Sequence, residues 1–421
     1  MALVSSVAGA MCLISACSGR QAKRDSVPAN SREQTPDIRI DLRQYGLPAG
    51  FFSAGADTKC ASQIIGYRFV VWLGIEHVAV GFNTSPNCRQ TPDRKVDGLA
   101  RILVFDIHGK LQAQRDLPYL ADGNGELVTD GEAGPGPKST LLFRMESVSL
   151  DPEGRNESKS GVRLLDRNLK DVRELDQFLE QATLVDHALV FQEGFTLNGP
   201  RTYSLMDGAP PVQVRKWTQD WPAGTMDRKF GEHGVAFMVC GQELRPGEYT
   251  STSVIHGGAK FRCALNAQSE DGSTWSLPME DGETAALVGL LADGSVVGQI
   301  HTSGGDTERL IVWRKDGHSE SLPWLPTKYE GTVDSAARDF SRYASFATHD
   351  AKWCNPIARV LGTACDERGE GRWFVFDRGS KALLVDRAFP KNGRAALAPD
   401  GLHYVSFESN ELRIFSVPEK P

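Results

Sequence analysis

Few residues in this chain are of a type that does chemistry, and their spacing narrows them further. Eight cysteines occur. Cys12 and Cys17 lie near the start, while Cys60, Cys88, Cys240, Cys263, Cys354 and Cys365 are spread over the body. No C-x-x-C occurs among them, which argues against a zinc ribbon or a thioredoxin-like redox pair. Nine histidines are scattered along the chain. His108 and His318 fall in or beside turn-rich stretches, where exposure to solvent explains them. His301 and His349 close two similar apolar segments, and a polar role beside a turn accounts for them better than metal binding. Asp122-Gly123-Asn124-Gly125-Glu126, followed by Asp130 and Glu132, has the oxygens and glycines of a calcium loop. The D-x-[DN]-x-[DN]-G spacing nevertheless fails at Glu126 and Leu127, so a solvated acidic loop is the better reading. G-x-S-x-G, a P-loop, an H-E-x-x-H pair and a G-x-G-x-x-G opening a helix are absent. No catalytic residue, metal ligand or cofactor is therefore assigned, and an enzymatic role is the lesser expectation.

The state of the cysteines depends on the compartment, which the first residues address. Residues 3–16, LVSSVAGAMCLISA, are an apolar run too short to span a bilayer and of the right length for the core of a signal peptide. The run ends in Ile14-Ser15-Ala16-Cys17, which resembles the lipobox of bacterial lipoproteins. That resemblance implies a signal peptide over 1–17, cleavage before Cys17 and acylation of Cys17 as the mature N-terminus. The protein would then be extracytoplasmic, lipid-anchored to a bacterial membrane and facing the periplasm or the cell surface. One feature departs from the pattern: no Lys or Arg precedes the apolar run, and a plain secretory signal is the alternative. Residues 18–36 are polar, with Arg20, Lys23, Arg24 and Arg32 outweighing Asp25 and Glu33, and read as a flexible tether. In an exported chain the six body cysteines are expected to form structural disulfides, each contributing about 2–4 kcal/mol. Pairing neighbours in sequence gives the shortest loops, but spacing alone does not choose the connectivity.

The chain is 40% hydrophobic and 24% charged, enough apolar material for a large core and too much for disorder. A net charge of −7 lacks the basic surplus of a nucleic-acid binder. A short apolar strand, a polar turn and a second strand recur at 101–117, 161–175, 201–217, 260–277, 309–324 and 372–387, with a half-copy at 411–417. Aligned on Asp106, Asp166, Asp207, Asn266, Arg314, Asp377 and Ser416, the copies are 39 to 63 residues apart. A preceding hairpin is legible at 69–84, 286–302, 336–349 and 395–409. For the second to fourth units only one of its strands stands out, at 139–147, 187–194 and 234–241. Together the motifs predict four-stranded antiparallel units. The seventh unit ends one strand short. Residues 37–44 supply the missing member, because Ile38, Ile40 and Leu42 alternate with Arg39, Asp41 and Arg43.

Residues 37–418 resemble a seven-bladed β-propeller of the broad class found in exported bacterial proteins. LIVWRKDGHSESL and AALAPDGLHYVSFESNELRIFSV carry most of the likeness, and the Trp-Asp repeat signature is absent. The resemblance implies an all-β fold whose ring is closed by the N-terminal strand pairing in the last blade. Enzymes of this architecture place carboxylates around a central channel, and here Asp186 and Asp334 are the inner-strand candidates. Loop-rich stretches lie at 84–98, 121–138, 218–233, 243–258 and 350–371, the usual seats of recognition. Trp217, Trp221, Trp324 and Trp353 lie in or beside such segments, where packing between blades is the commoner role. The expected function is non-catalytic binding of a protein or envelope component through one loop face, by a membrane-tethered monomer without nucleic acid. The alternative is an exported carbohydrate-active hydrolase or lyase with its site at the channel mouth.

Overall fold

Short runs of β-branched and aromatic residues between Asp- and Gly-rich turns favour hairpins over helices. The computed structural model describes residues 34–48, 68–84, 98–119, 133–135, 141–150, 156–175, 183–185, 188–192, 200–204, 212–216, 225–231, 234–245, 248–249, 261–269, 273–280, 283–302, 309–326, 329–349, 370–390 and 393–419. Among these, the one helical element is a single 3-10 turn, Leu42–Tyr45, and the rest of the regular structure is strand.

The strands build seven antiparallel sheets, six of them from consecutive strands, named a to d here in chain order. Sheet one is Arg68–Leu73, His77–Asn83, Gly98–Asp106 and Leu111–Tyr119. Sheet two is Ala133–Pro135, Leu141–Leu150, Asn156–Leu165 and Asp171–Leu175. Sheet three is Thr183–Val185, Ala188–Gln192, Pro200–Ser204 and Val212–Lys216. Sheet four is Thr225–Gly231, Gly234–Arg245, Phe261–Ser269 and Thr274–Pro278, with Glu248–Tyr249 paired to the far end of its second strand. Sheet five is Glu283–Leu290, Val296–Thr302, Arg309–Trp313 and Ser319–Ser321, and sheet six is Tyr329–Ala336, Arg342–His349, Glu370–Asp377 and Ala382–Pro390. Sheet seven takes Arg394–Leu397, His403–Glu408 and Glu411–Ser416, and its strand d comes from the other end of the chain, Ile38–Asp41.

That last pairing is antiparallel, with Ile38 opposite Ile414, Ile40 opposite Leu412 and Asp41 opposite Glu411. The alternation read over 37–44 holds only to Asp41. There the Asp41 carboxylate accepts from the Arg43 N–H, and Gly46 at φ 91° closes the turn, a left-handed conformation that suits glycine. Leu42 stays fully buried, now on the 3-10 turn instead of a strand.

Adjacent sheets share apolar cores. Val70, Trp72, Val80 and Phe82 of sheet one pack with Val405, Phe407 and Leu412 of sheet seven. Phe69 and Val104 of sheet one pack with Leu141 and Leu165 of sheet two. Met238 and Leu265 of sheet four meet Leu287 and Trp313 of sheet five. Val312 of sheet five meets Tyr343 and Phe374 of sheet six, and Trp373 of sheet six meets Tyr404 and Phe415 of sheet seven. Trp324 also belongs here, packed against Phe376 with ring centroids 6.3 Å apart, so it serves packing between sheets.

Within each sheet the a–b and c–d connections lie at one end and the b–c connection at the other, since neighbours are antiparallel. The first end is made of tight turns organised by aspartates. Asp106 Oδ1 accepts from the His108 and Lys110 N–H groups at 2.9 Å each, and Asp166 Oδ1 does the same for Asn168 and Lys170 at 2.8 Å. Asp293, Asp316, Asp339, Asp377 and Asp400 hold amides of their own turns in the same way. The recurrent aspartates are therefore turn builders. Asn266 is not one of them. It sits inside strand c of sheet four opposite Phe237 and Ser276, and the turn falls later, where the Ser269 N–H reaches Ser273 O at 2.8 Å. Asp207 lies outside the described residues.

Candidate functional site

Of the six body cysteines, Cys240 and Cys263 form a disulfide. They face each other directly on strands b and c of sheet four, with Cα atoms 4.1 Å apart and a sequence separation of 23. Both are buried, so this bond is structural. Cys17, Cys60, Cys88, Cys354 and Cys365 lie outside the described residues, as do the acidic stretch 122–132, Asp186, Trp217, Trp221 and Trp353. His108 and His318 occupy exposed turns, as their surroundings in sequence suggested.

Asp334 is the sequence-nominated carboxylate whose surroundings set it apart. It belongs to strand a of sheet six, where Glu330, Thr332 and Asp334 are the exposed members of an alternating pattern. Val333 pairs with Ser345 and Ser335 with Ala344, so Asp334 is the extra residue of a β-bulge. The equivalent bulged residue of sheet five is Val288, skipped between Leu287 and Gly289. Bulges re-aim a side chain, and here the bulge lets the Asp334 carboxylate accept from the Phe346 N–H of strand b.

The strand carrying Asp334 is fixed on both flanks. Gln299, 1% exposed on sheet five, donates from Nε2 to Gly331 O at 2.8 Å. A Cβ at Gly331 would come within 2.5 Å of Phe346 O, so only glycine fits that approach. On the other flank Ser335 Oγ accepts from the Leu397 N–H of sheet seven at 2.9 Å. Ser345, fully buried, donates from Oγ to Thr332 O at 2.6 Å. Arg394, at the start of strand a of sheet seven, is exposed and acts on Asp334 electrostatically.

Solvent reaches Asp334, yet protein atoms crowd its carboxyl. That crowding pushes its pKa up to about 6, against the opposing pull of the Phe346 amide and the Arg394 charge. A carboxyl that titrates near neutrality can hold or release a proton during work near pH 6. A glycosidase-type mechanism would need a second carboxylate facing it. Among the described residues no group of three or more His, Cys, Asp or Glu side chains converges. Arg394, Ser335 and Gln299 were not legible as site residues, because their roles arise from contacts between sheets.

Other charged clusters serve the fold. Glu408, 3% exposed on strand b of sheet seven, accepts from Arg387 of sheet six, from Arg413 at 3.3 Å and from Ser406 Oγ at 2.8 Å. The Arg387 guanidinium also lies 4.6 Å from the centre of the Phe415 ring, which stacks on Tyr404 at 4.5 Å. The charges thus bridge the outer strand of sheet six to sheet seven.

No family model matches the chain, and no curated protein matches it. Solved structures do. A chain of the mitotic checkpoint complex is 12% identical with a TM-score of 0.44, over 95% of this chain and 97% of that one. The β-propeller domain of the trilobed protease from Pyrococcus furiosus is 10% identical with a TM-score of 0.46, over 84% and 96%. An oligogalacturonate lyase in complex with manganese is 12% identical with a TM-score of 0.40, over 84% and 97%.

Proposed function

We propose that residues 37–418 form a seven-bladed β-propeller, held to a bacterial membrane by lipid on Cys17, that binds a protein or envelope component through one loop face. The observation that carries the binding face is an asymmetry of connection length. Between described strands, no a–b or c–d connection exceeds 7 residues, whereas the connections at the opposite ends reach 20 residues at 350–369 and 14 at 84–97. A ring would gather those long connections on one side, as recognition on a rigid scaffold requires. The ring itself is supported by the run of shared cores from sheet four through seven and on to sheets one and two, and by the first strand completing the last sheet. The Cys240–Cys263 disulfide fits an oxidising compartment.

The test combines intact mass with site-directed photo-crosslinking in the native envelope. Mature protein is expected to begin at Cys17 and to carry acyl chains. Crosslinkers placed within 84–97 or 350–369 are expected to trap one discrete partner, and one at Arg167 in a tight turn is expected to trap none. Unmodified mass defeats the anchor, and equal trapping from both ends defeats the binding face.

A second reading, an exported hydrolase or lyase, rests on Asp334 and its pKa of about 6. It requires turnover of an oligosaccharide that D334N abolishes and that follows a single ionisation near pH 6.

A further inference from the structure

We infer that the tight-turn end of sheets six, seven, one and two is a lipid-facing surface that lies against phospholipid headgroups. The inference rests on the membrane-anchor reading and goes beyond it, because an anchor on Cys17 does not by itself say which residues of the domain meet the bilayer.

The first observation is where the chain enters the domain. Gln34 Nε2 donates to Ser416 O at 2.5 Å, and Tyr404 Oη donates to Gln34 Oε1 at 2.8 Å. Ser416 pairs with His403, and the next residue, Val417, donates its N–H to Leu402 O at 2.7 Å. Gln34 is therefore fastened beside turn 398–402. Sixteen residues lie between it and Cys17 in sequence. An unstructured segment of that many residues averages roughly 20–25 Å end to end. A folded unit of this size is roughly 50 Å across, so a tether this short favours the end from which it leaves.

The second observation is that the turns at this end form one continuous surface. The Arg338 N–H reaches Pro399 O at 2.9 Å, and Arg342 Nη1 reaches Gly401 O at 2.9 Å, joining sheets six and seven. Trp72 Nε1 reaches Ala396 O at 3.0 Å, joining sheets seven and one next to turn 74–76. The Ile107 N–H reaches Glu76 O at 3.0 Å, and Arg115 Nη1 reaches Leu169 O at 2.8 Å, carrying the surface on to sheet two.

The third observation is what this surface presents. Ile75 and Leu402, 52% and 51% exposed, are the large exposed hydrophobics among the described residues, and both stand on it. Lys110, Arg167, Lys170, Arg338 and Lys381 are exposed around them. The exposed carboxylates there are Asp37, which accepts from the Ser416 N–H at 2.5 Å, Glu76, Asp339, Glu419 and Asp171, the last paired with Arg115 at 2.7 Å. Asp106, Asp166, Asp377 and Asp400 are turned back onto their own backbone amides. Apolar tips flanked by long lysine and arginine side chains suit the boundary between headgroups and acyl chains.

The test uses the mature lipidated protein on phosphatidylcholine vesicles containing one quarter phosphatidylglycerol. Flotation reads anchoring, and amine acylation followed by mass spectrometry reads orientation. The wild type is expected to float, with Lys110, Lys170 and Lys381 reacting several-fold more slowly than in I75E/L402E. Lys352, which lies between strands b and c of sheet six in sequence, is expected to react equally in both. The variant is also expected to float, because its anchor is intact, and its near-UV circular dichroism is expected to match the wild type because both side chains are exposed. Equal reactivity of the turn lysines in two floating proteins overturns the inference and spares the anchor. Protection of Lys352 instead of the turn lysines overturns it as well. Failure of the wild type to float removes the anchor and this inference together.

Discussion

Replacing Asp334 with asparagine isolates one proton's effect on the fold. Asparagine keeps the shape and keeps an oxygen for the Phe346 N–H, but it never ionises. In the folded chain the carboxyl is raised from 3.8 to about 6 by the crowding of strand a in sheet six, with Phe346 and Arg394 pulling the other way. A shift of about two units corresponds to roughly 3 kcal/mol between charged and neutral forms. The side chain is open to water, so screening reduces the part felt by stability to roughly 1–1.5 kcal/mol. The sign follows from proton counting: between pH 4 and 6 the folded state holds more of the proton than the unfolded state does. This group's contribution is thus fully present below pH 4, is lost as pH rises through 6, and is flat above it. Urea unfolding of both proteins from pH 4 to 8 measures it. D334N should be the more stable at pH 7.5 by about the discounted amount, and the two midpoints should converge at pH 4. A variant less stable at pH 7.5, with the gap closing in acid, would mean that Arg394 dominates as an ion-pair partner and that the reasoning is wrong.

Other perturbations reach different parts of the fold. C240A/C263A should lose roughly 3 kcal/mol by the loop-closure estimate for a 23-residue loop, read as a lower urea midpoint under non-reducing conditions. E408A strands Arg387 without its carboxylate, while Arg413 keeps Glu411 at 2.6 Å, and should cost roughly 3–5 kcal/mol. E408Q should recover part of that loss, and thermal melts of the pair measure it. G81A brings a Cβ within 2.1 Å of the Phe69 ring and should cost about 1–3 kcal/mol, whereas G317A meets nothing within 4 Å and pays only for its φ of 85°. Removing residues 34–41 exposes the edge of Glu411–Ser416 and should convert a monodisperse protein into one that associates on size-exclusion chromatography.

Much of the sheet architecture was legible because strands b and c are long and apolar. RILVFD, RLIVW and RWFVFD are buried on both faces in the cores of sheets one, five and six, and continuous apolar runs announce such strands. The a strands of sheets two and three escaped notice because Ala133–Pro135 and Thr183–Val185 have three residues each, too few for a period-2 pattern. Asn266 misled as an anchor because polar residues inside a strand and in a turn look alike in sequence. It was satisfied locally, donating from Nδ2 to Ala264 O at 3.1 Å. Asp334 was nominated from its place in strand a, but nothing in YEGTVDSA announces the bulge. The slip appears only when the eight residues are laid against Arg342–His349. Arg394 and Ser335 became neighbours through packing of sheets six and seven, which a one-dimensional pattern does not encode.

Joining Ile38 to Ile414 also sets a timetable for the molecule's birth. Contacts between residues more than 370 positions apart are the slowest to form, since the chain must close its largest loop to make them. A nascent chain carries Ile38–Asp41 as an unclaimed strand until Glu411–Ser416 has been made, and that strand waits with one side bare until the two meet. Quality control that recognises bare strand edges would therefore see this protein as immature until Glu411–Ser416 arrives, and a truncation before Glu411 would leave Ile38–Asp41 and His403–Glu408 permanently adhesive.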